Sequence, residues 1–138
     1  MLENLLRVVD RIRQFLADNR GRRDLMRARY RELCYTESEL RGIKLLRNRL
    51  SAEQLIQFNK YEYFEVTGCQ TGKRYRIRYG TGTNIHELSR HGRPKAGWCF
   101  VPNQRLVPGD VMLAQKIALE TDELGALAVA KPFTPTWL

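Results

Sequence analysis

The chain has 138 residues, of which 43% are hydrophobic and 28% are charged, and its formal net charge is +9. This length fits one ordinary domain, and the composition is that of a globular protein rather than a disordered or membrane-spanning one. Three widely spaced cysteines, Cys34, Cys69 and Cys99, argue against a disulfide scaffold and predict a reducing, cytoplasmic setting.

The positive charge is unevenly placed along the chain. Lys and Arg outnumber Asp and Glu in residues 1–50 and 51–97, whereas residues 98–138 are slightly acidic. Charge of this kind raises affinity for nucleic acid or another polyanion, so we expect a partner of that class. The longest apolar runs are much shorter than the ~20 residues that cross a bilayer, and charges interrupt the N-terminus before a secretory signal can form.

The N-terminal third predicts two helices. A first helix from Leu2 to about Ala17 has apolar residues three and four apart on one face, namely Leu2, Leu5, Val9, Ile12 and Leu16. Residues 18–21 are expected to end it, and a second helix runs from about Asp24 through Cys34. The apolar stripe fits packing into the core or against a second copy equally well, because it spans little more than two heptads.

Two capping boxes mark the next helices. Thr36 with Glu39 predicts a helix start near residue 37, and Ser51 with Gln54 predicts another that ends at about Lys60.

The apolar period then changes from that of a helix to that of a strand. Aromatic and β-branched residues separated by glycine and proline turns predict a three- or four-stranded antiparallel meander. Its predicted strands are residues 61–67, 73–79, 83–88 and 98–101.

A last helix is predicted from Val111 to about Ala130, with Asp110 as its N-cap, and we expect it to cover one face of the sheet. The tail from Pro132 to Leu138 carries Phe133 and Trp137. The tail either docks a partner or folds back on its own domain, and the second is favoured.

These elements predict an α+β fold. Residues 1–60 form a helical segment, residues 61–131 form the meander and its helix, and residues 132–138 form the tail, all within one compact domain.

The stretch from Lys73 to Tyr79 is the most informative in the chain. Alternation places Tyr75, Ile77 and Tyr79 on one face and a basic ladder on the other, and the ladder consists of Arg74, Arg76 and Arg78. Successive arginines on one face are about 7 Å apart, close to the spacing of phosphates along a nucleic-acid strand. Three cations of the following loop extend the patch, namely Arg90, Arg93 and Lys95.

Two features set limits on the ladder as a binding surface. The ladder is alternatively a solvated face, or one that pairs with Glu62 and Glu65 of the neighbouring strand. Base stacking is expected to be poor, because Tyr75 and Tyr79 alternate toward the core.

No metal, cofactor or catalytic site is expected. The candidate ligands Cys69, His86, His91 and Cys99 lack the spacing that places two ligands in one turn. His86 and the adjacent Glu87 point to opposite faces of a strand. Glu120 and Glu123 are three apart on a helix, where solvated charges are the ordinary explanation.

The order of strand, glycine turn, strand and a cysteine before proline resembles a SWIM-type domain over residues 61–130. The matching residues are Tyr63-Phe64-Glu65-Val66, Lys73-Arg74-Tyr75-Arg76-Ile77 and Cys99-Phe100-Val101-Pro102. That family binds zinc through C-x-C and a later C-x-H and often contacts nucleic acid or protein. Here Cys99 alone matches a ligand, Val101 occupies the second position, and the later helix has neither cysteine nor histidine, so the resemblance implies topology without zinc.

The function predicted first is a small noncatalytic module that binds nucleic acid or another polyanion through the ladder. The alternative is an assembly subunit of a homo-oligomer or larger particle. It would dock through the apolar stripe of the first helix and through Phe133 and Trp137. Charge alone does not separate the two.

Overall fold

The structure is a computed structural model that describes residues 2–102 and 105–135, except for the side chains of residues 2, 20, 21 and 24–34. Its contacts divide the chain into two units, residues 1–35 and residues 36–138. The first unit is a single helix. The second contains the sheet and the remaining helices, so the helices that begin after Thr36 and Ser51 group with the sheet.

Helix α1 runs without interruption over Leu2–Cys34. The prediction of two helices separated by residues 18–21 is therefore wrong. One glycine costs about 1 kcal/mol in a helix interior, and no proline accompanies Gly21, so the surrounding Leu, Met, Ala and Arg residues continue the helix through it.

Helix α2 spans Glu37–Arg49 and helix α3 spans Ala52–Tyr61. Both predicted capping boxes are confirmed. The amide of Glu39 donates to Thr36 Oγ1 at 3.2 Å while Glu39 Oε2 accepts from the Thr36 amide. Ser51 and Gln54 exchange the same pair of bonds. Each box satisfies amides that a helix start leaves without partners.

The sheet has five antiparallel strands in sequence order: β1 Tyr63–Thr67, β2 Arg74–Arg78, β3 Ile85–Leu88, β4 Pro94–Cys99 and β5 Lys131–Phe133. The predicted meander is confirmed, with one strand more than expected. Strand β4 begins at Pro94, which the sequence placed in a loop, and ends before Val101. Strand β5 contains Pro132 and Phe133, the first two residues of the predicted tail, so this part of the tail folds back onto β4 of its own domain.

The C-terminal helix is two helices, α4 Pro108–Thr121 and α5 Glu123–Val129. The single helix predicted from Val111 to Ala130 is wrong in two respects. Pro108 starts α4 because its fixed φ suits a first helical position, so Asp110 lies inside the helix. Asp122 leaves the helical conformation and caps α5, accepting a bond from the Gly125 amide at 3.2 Å.

One face of the sheet carries the core. Helices α3 and α4 contact β1, α4 also contacts β2, and α2 packs on α4. The α2–α4 crossing is close, since a Cβ on Gly109 would lie 2.2 Å from the carbonyl carbon of Gly42. The largest fully buried apolar side chains are Leu46, Phe64, Tyr75, Ile77, Ile85, Met112 and Leu119.

Candidate nucleic-acid interface

Strand β2 divides its side chains between the two faces of the sheet. Tyr75 and Ile77 are fully buried against the helices, while Arg74 and Arg78 are exposed and Arg76 is half-buried on the opposite face. We call that opposite surface the arginine face. The split follows from the two-residue period of an extended strand.

Glu65 is the acidic partner of two of these arginines. It lies opposite Arg76 in the β1–β2 register. Its two carboxylate oxygens pair with Arg76 at 3.2 Å and with Arg74 at 3.3 Å. Glu65 on β1 thus partly neutralises the charges of Arg74 and Arg76. Arg78 makes no ion pair within residues 2–102 and 105–135.

Arg76 is also held by an aromatic ring. Its guanidinium carbon lies 4.3 Å from the centroid of Tyr63, which occupies the arginine face of β1. The Tyr63 ring also stacks on Tyr61, with centroids 5.2 Å apart and an interplanar angle of 9°. Lys60 Nζ lies 5.1 Å from the Tyr61 centroid. A stacked pair of tyrosines with a cation near each ring therefore borders the β1 edge of the arginine face.

His86 is the β3 neighbour of Arg76 and lies buried on the same face. Burial lowers the pKa of this imidazole, and the positive charges of Arg78 and Arg76 lower it further. The imidazole of His86 is therefore neutral at pH 7. The lowering of its pKa by the two arginines indicates a positive electrostatic potential on this face. Two buried atoms, His86 Nδ1 and Arg76 Nε, have no hydrogen-bond partner in the part of the chain that the structure describes.

Phe133 brings a second aromatic group to the arginine face from β5. It pairs in register with Gly97, which pairs in turn with His86. A Cβ on Gly97 would lie 2.4 Å from the ring of Phe133, so the ring lies directly over the glycine backbone. The ring is partly exposed, and its centroid is 5.9 Å from that of His86. Lys131, two residues before Phe133 on β5, shares its face and is exposed.

The cations predicted to extend the ladder belong to the β3–β4 connection and the start of β4. Arg90, Arg93 and Lys95 are all exposed. The Ser89 amide donates to the Arg93 carbonyl and closes the turn. Arg74 reaches toward this turn, since its Nη2 is 3.5 Å from the position of a Cβ on Gly92. The structure thus places Arg90 and Arg93 next to the Arg74 end of the ladder.

The residues predicted to dock a partner belong to two parts of the chain, the first helix and the C-terminal tail. Leu5, Val9, Ile12 and Leu16 are exposed on α1. The side chain of Leu2 and the whole of Trp137 lie outside the described residues. Phe133, predicted as a docking residue, lies on the arginine face.

The acidic residues considered for catalysis occupy separate surroundings. His86 and Glu87 lie on opposite faces of β3, and Glu87 accepts a bond from Trp98 Nε1 and pairs with Lys73. Glu120 pairs with Lys116 at 2.6 Å. Glu123 is buried and accepts bonds from the amides of Gln70 and Thr71, the hydroxyl of Thr71 and the phenol of Tyr75. A carboxylate with this many donors anchors a turn, and it is not open to a substrate.

Within residues 2–102 and 105–135, no group of three or more His, Cys, Asp or Glu side chains is arranged to hold a metal ion. Over the same range, no helix combines the length and the apolar character needed to span a membrane.

The aromatic groups of the arginine face are the feature that the sequence reasoning missed. The pattern of residues 73–79 pointed only to Tyr75 and Tyr79, which alternate toward the core. The alternation of β1 could have predicted the position of Tyr63. Phe64 and Val66 face the core, so Tyr63 and Glu65 must face away from it. Nothing local in the sequence predicted the position of Phe133.

Comparisons with protein-family models, with curated proteins and with solved structures gave no match to this chain.

Proposed function

We propose that this chain is a noncatalytic nucleic-acid-binding module and that the arginine face contacts the phosphate backbone. The observation that carries the proposal is Arg78, an exposed arginine without an ion pair among the described residues, beside two arginines that share a single acid. Among the strand residues that the structure describes, Arg74, Arg76, Arg78 and Lys131 share this face with one carboxylate, that of Glu65. Burial lowers the pKa of His86, and the further lowering by the charges of Arg78 and Arg76 is consistent with this charge balance.

The contact we propose is directed at phosphate groups rather than at base edges. Arginine forms bidentate, charge-assisted hydrogen bonds with phosphate, and such contacts position a protein without reading sequence. The exposed Arg90 and Arg93 extend the positive surface past the Arg74 end of the strand. Arg76, half-buried and held between Glu65 and Tyr63, is better suited to orient its neighbours than to meet a phosphate itself.

The test compares Arg78→Glu with Lys44→Glu in the full-length protein. Lys44 is exposed on α2, so both variants make the same change in net charge, but only one makes it on the arginine face. Binding to a fluorescently labelled 20-nucleotide DNA is followed by anisotropy from 50 to 300 mM KCl. We expect Arg78→Glu to weaken binding about equally for unrelated sequences and to reduce the slope of log K against log salt by about 1.

Two results would overturn the proposal. One is the absence of measurable binding by the wild-type protein at about 150 mM salt. The other is an equal loss of affinity in Arg78→Glu and Lys44→Glu, because net charge alone would then explain the binding.

A second candidate function, assembly, is favoured by helix α1. Seven large apolar side chains on this helix are exposed: Leu5, Leu6, Val8, Val9, Ile12, Phe15 and Leu16. Residues 2–18 contain three acidic and three basic residues, whereas residues 19–35 are strongly basic. Two copies that pair antiparallel over residues 2–18 would bury the apolar stripe and keep the arginine-rich halves at opposite ends.

A further inference from the structure

The arginine face has aromatic rings at two of its edges. At the β1 edge Tyr61 is 51% exposed and stacks on Tyr63. At the β5 edge the partly exposed ring of Phe133 lies over Gly97. The exposed aromatic faces add nothing to a purely electrostatic contact with the arginines and lysines around them, because phosphate oxygens gain nothing from an apolar ring.

We propose that the arginine face binds single-stranded nucleic acid, with bases stacked on Phe133 at one edge and on the Tyr61–Tyr63 pair at the other. This inference rests on the function proposed above and names the class of nucleic acid. Adjacent strands are about 4.8 Å apart, so the four steps from β1 to β5 separate the two edges by about 19 Å. A single strand that crosses the sheet passes over Arg78 and Arg76 between the rings.

An intact duplex does not present base faces that could stack on these rings. Its bases are stacked on one another inside the helix, so it offers a sheet surface only phosphates, sugars and groove edges. The bases of a single strand are free to turn outward and stack on aromatic side chains, and every base has a face that can do so. A surface that combines arginines with exposed rings therefore favours the single strand.

Two buried polar atoms that lack a hydrogen-bond partner among the described residues lie between the aromatic edges. His86 Nδ1 and Arg76 Nε are buried and belong to residues paired across β2 and β3. Because these atoms are buried, a ligand on the surface does not reach them directly. The centroids of the His86 and Phe133 rings are 5.9 Å apart, so His86 lies beside the ring on which a base would stack.

The test measures affinity for a labelled 12-nucleotide single strand and for a stable duplex that contains the same sequence, using wild type, Phe133→Leu and Phe133→Trp. Stacking contributes enough per base that Phe133→Leu is expected to weaken single-strand binding about 5- to 150-fold. Its salt slope stays unchanged, because no phosphate contact is removed. Phe133→Trp retains a stacking surface, so it should restore the affinity, and single-strand binding should quench the added tryptophan fluorescence.

Ile56→Ala serves as the control, since Ile56 is an exposed apolar residue on α3. It should leave both affinities unchanged. If Phe133→Leu detaches β5, Tyr61→Leu tests the other edge, with the same expected loss confined to the single strand.

The outcomes separate this inference from the proposed function. Equal affinity for single strand and duplex, with Phe133→Leu and Tyr61→Leu both silent and Arg78→Glu still weakening binding, overturns the inference alone. No binding to either nucleic acid overturns both. Competition by poly-glutamate as effective as that by the single strand also overturns the inference, because the face would then recognise any polyanion.

Discussion

The phenol of Tyr75 donates a hydrogen bond of 2.6 Å to the carboxylate of Glu123, and both side chains are fully buried. This bond ties the centre of the sheet to the start of α5. Burial raises the pKa of Tyr75, and the hydrogen bond to Glu123 raises it further. Burial also raises the pKa of Glu123, but donors from Thr71, Tyr75 and Gln70 lower it more, so the carboxyl titrates below its ordinary range.

Replacing this carboxylate should destabilise the domain. In Glu123→Gln the charge that four donors share is lost, and we expect the free energy of unfolding to fall by about 2 kcal/mol. Urea denaturation followed by circular dichroism measures the change. Glu53→Gln, an exposed substitution in the first turn of α3, should change the stability by less than about 0.5 kcal/mol. A similar effect of the two substitutions would contradict the anchoring role of Glu123.

The stability should also depend on pH through Glu123. Because its folded pKa is below that of the unfolded chain, its ionisation stabilises the fold fully above the unfolded pKa. This contribution disappears as the pH falls from the unfolded toward the folded pKa. The difference in unfolding free energy between wild type and Glu123→Gln should therefore narrow with acidification through that window. A constant difference from pH 7 down to pH 3 would refute this assignment.

Removing the acid of the arginine face should strengthen binding. Glu65→Gln releases Arg74 and Arg76 from their ion pairs, so affinity for the labelled single strand is expected to rise about twofold to fivefold, with a steeper salt slope. Glu53→Gln makes the same change in net charge on an exposed part of α3. An equal rise in both variants would show that overall charge, and not the arginine face, governs the affinity.

Gly97 should tolerate no side chain beneath Phe133. The ring would lie 2.4 Å from a new Cβ, so Gly97→Ala is expected to displace β5 at a cost of about 1–3 kcal/mol and to weaken single-strand binding. Gly82→Ala is the matched control, because its Cβ would meet only Cys99 Sγ at 3.9 Å. Combining Gly97→Ala with Phe133→Ala should relieve the clash. Thermal unfolding of wild type, the two single variants and the double variant tests the coupling. Additive effects would mean that the ring does not press on the glycine.

The apolar stripe of α1 should determine the mass of the protein in solution. Ile12→Asp is expected to convert a dimer into a monomer without lowering the stability of residues 36–138, because a buried unpaired charge opposes the helix pairing. Gln14→Asp introduces the same charge elsewhere on α1 and should preserve the dimer. Light scattering distinguishes these outcomes. A monomeric wild-type protein would remove the assembly function.

The sequence by itself determined the local structure of this chain. Helix starts after Thr36 and Ser51, the change of period near residue 62 and the two faces of β2 all follow from contacts within a few residues, and each is present in the structure. Such features depend on backbone geometry and capping chemistry, which neighbouring residues specify. The ends of helices were predicted less well. One glycine in α1 was outweighed by the helix around it, and one aspartate divided α4 from α5.

Only the tertiary structure decided which side chains share the arginine face. Glu65 meets Arg74 and Arg76 through the β1–β2 register, and Phe133 reaches Gly97 from more than thirty residues away. Glu123 likewise meets the turn after β1 across more than fifty residues. These contacts depend on strand order and on how the helices pack on the sheet. Both are set by the burial of apolar surface over the whole domain, which no local pattern encodes.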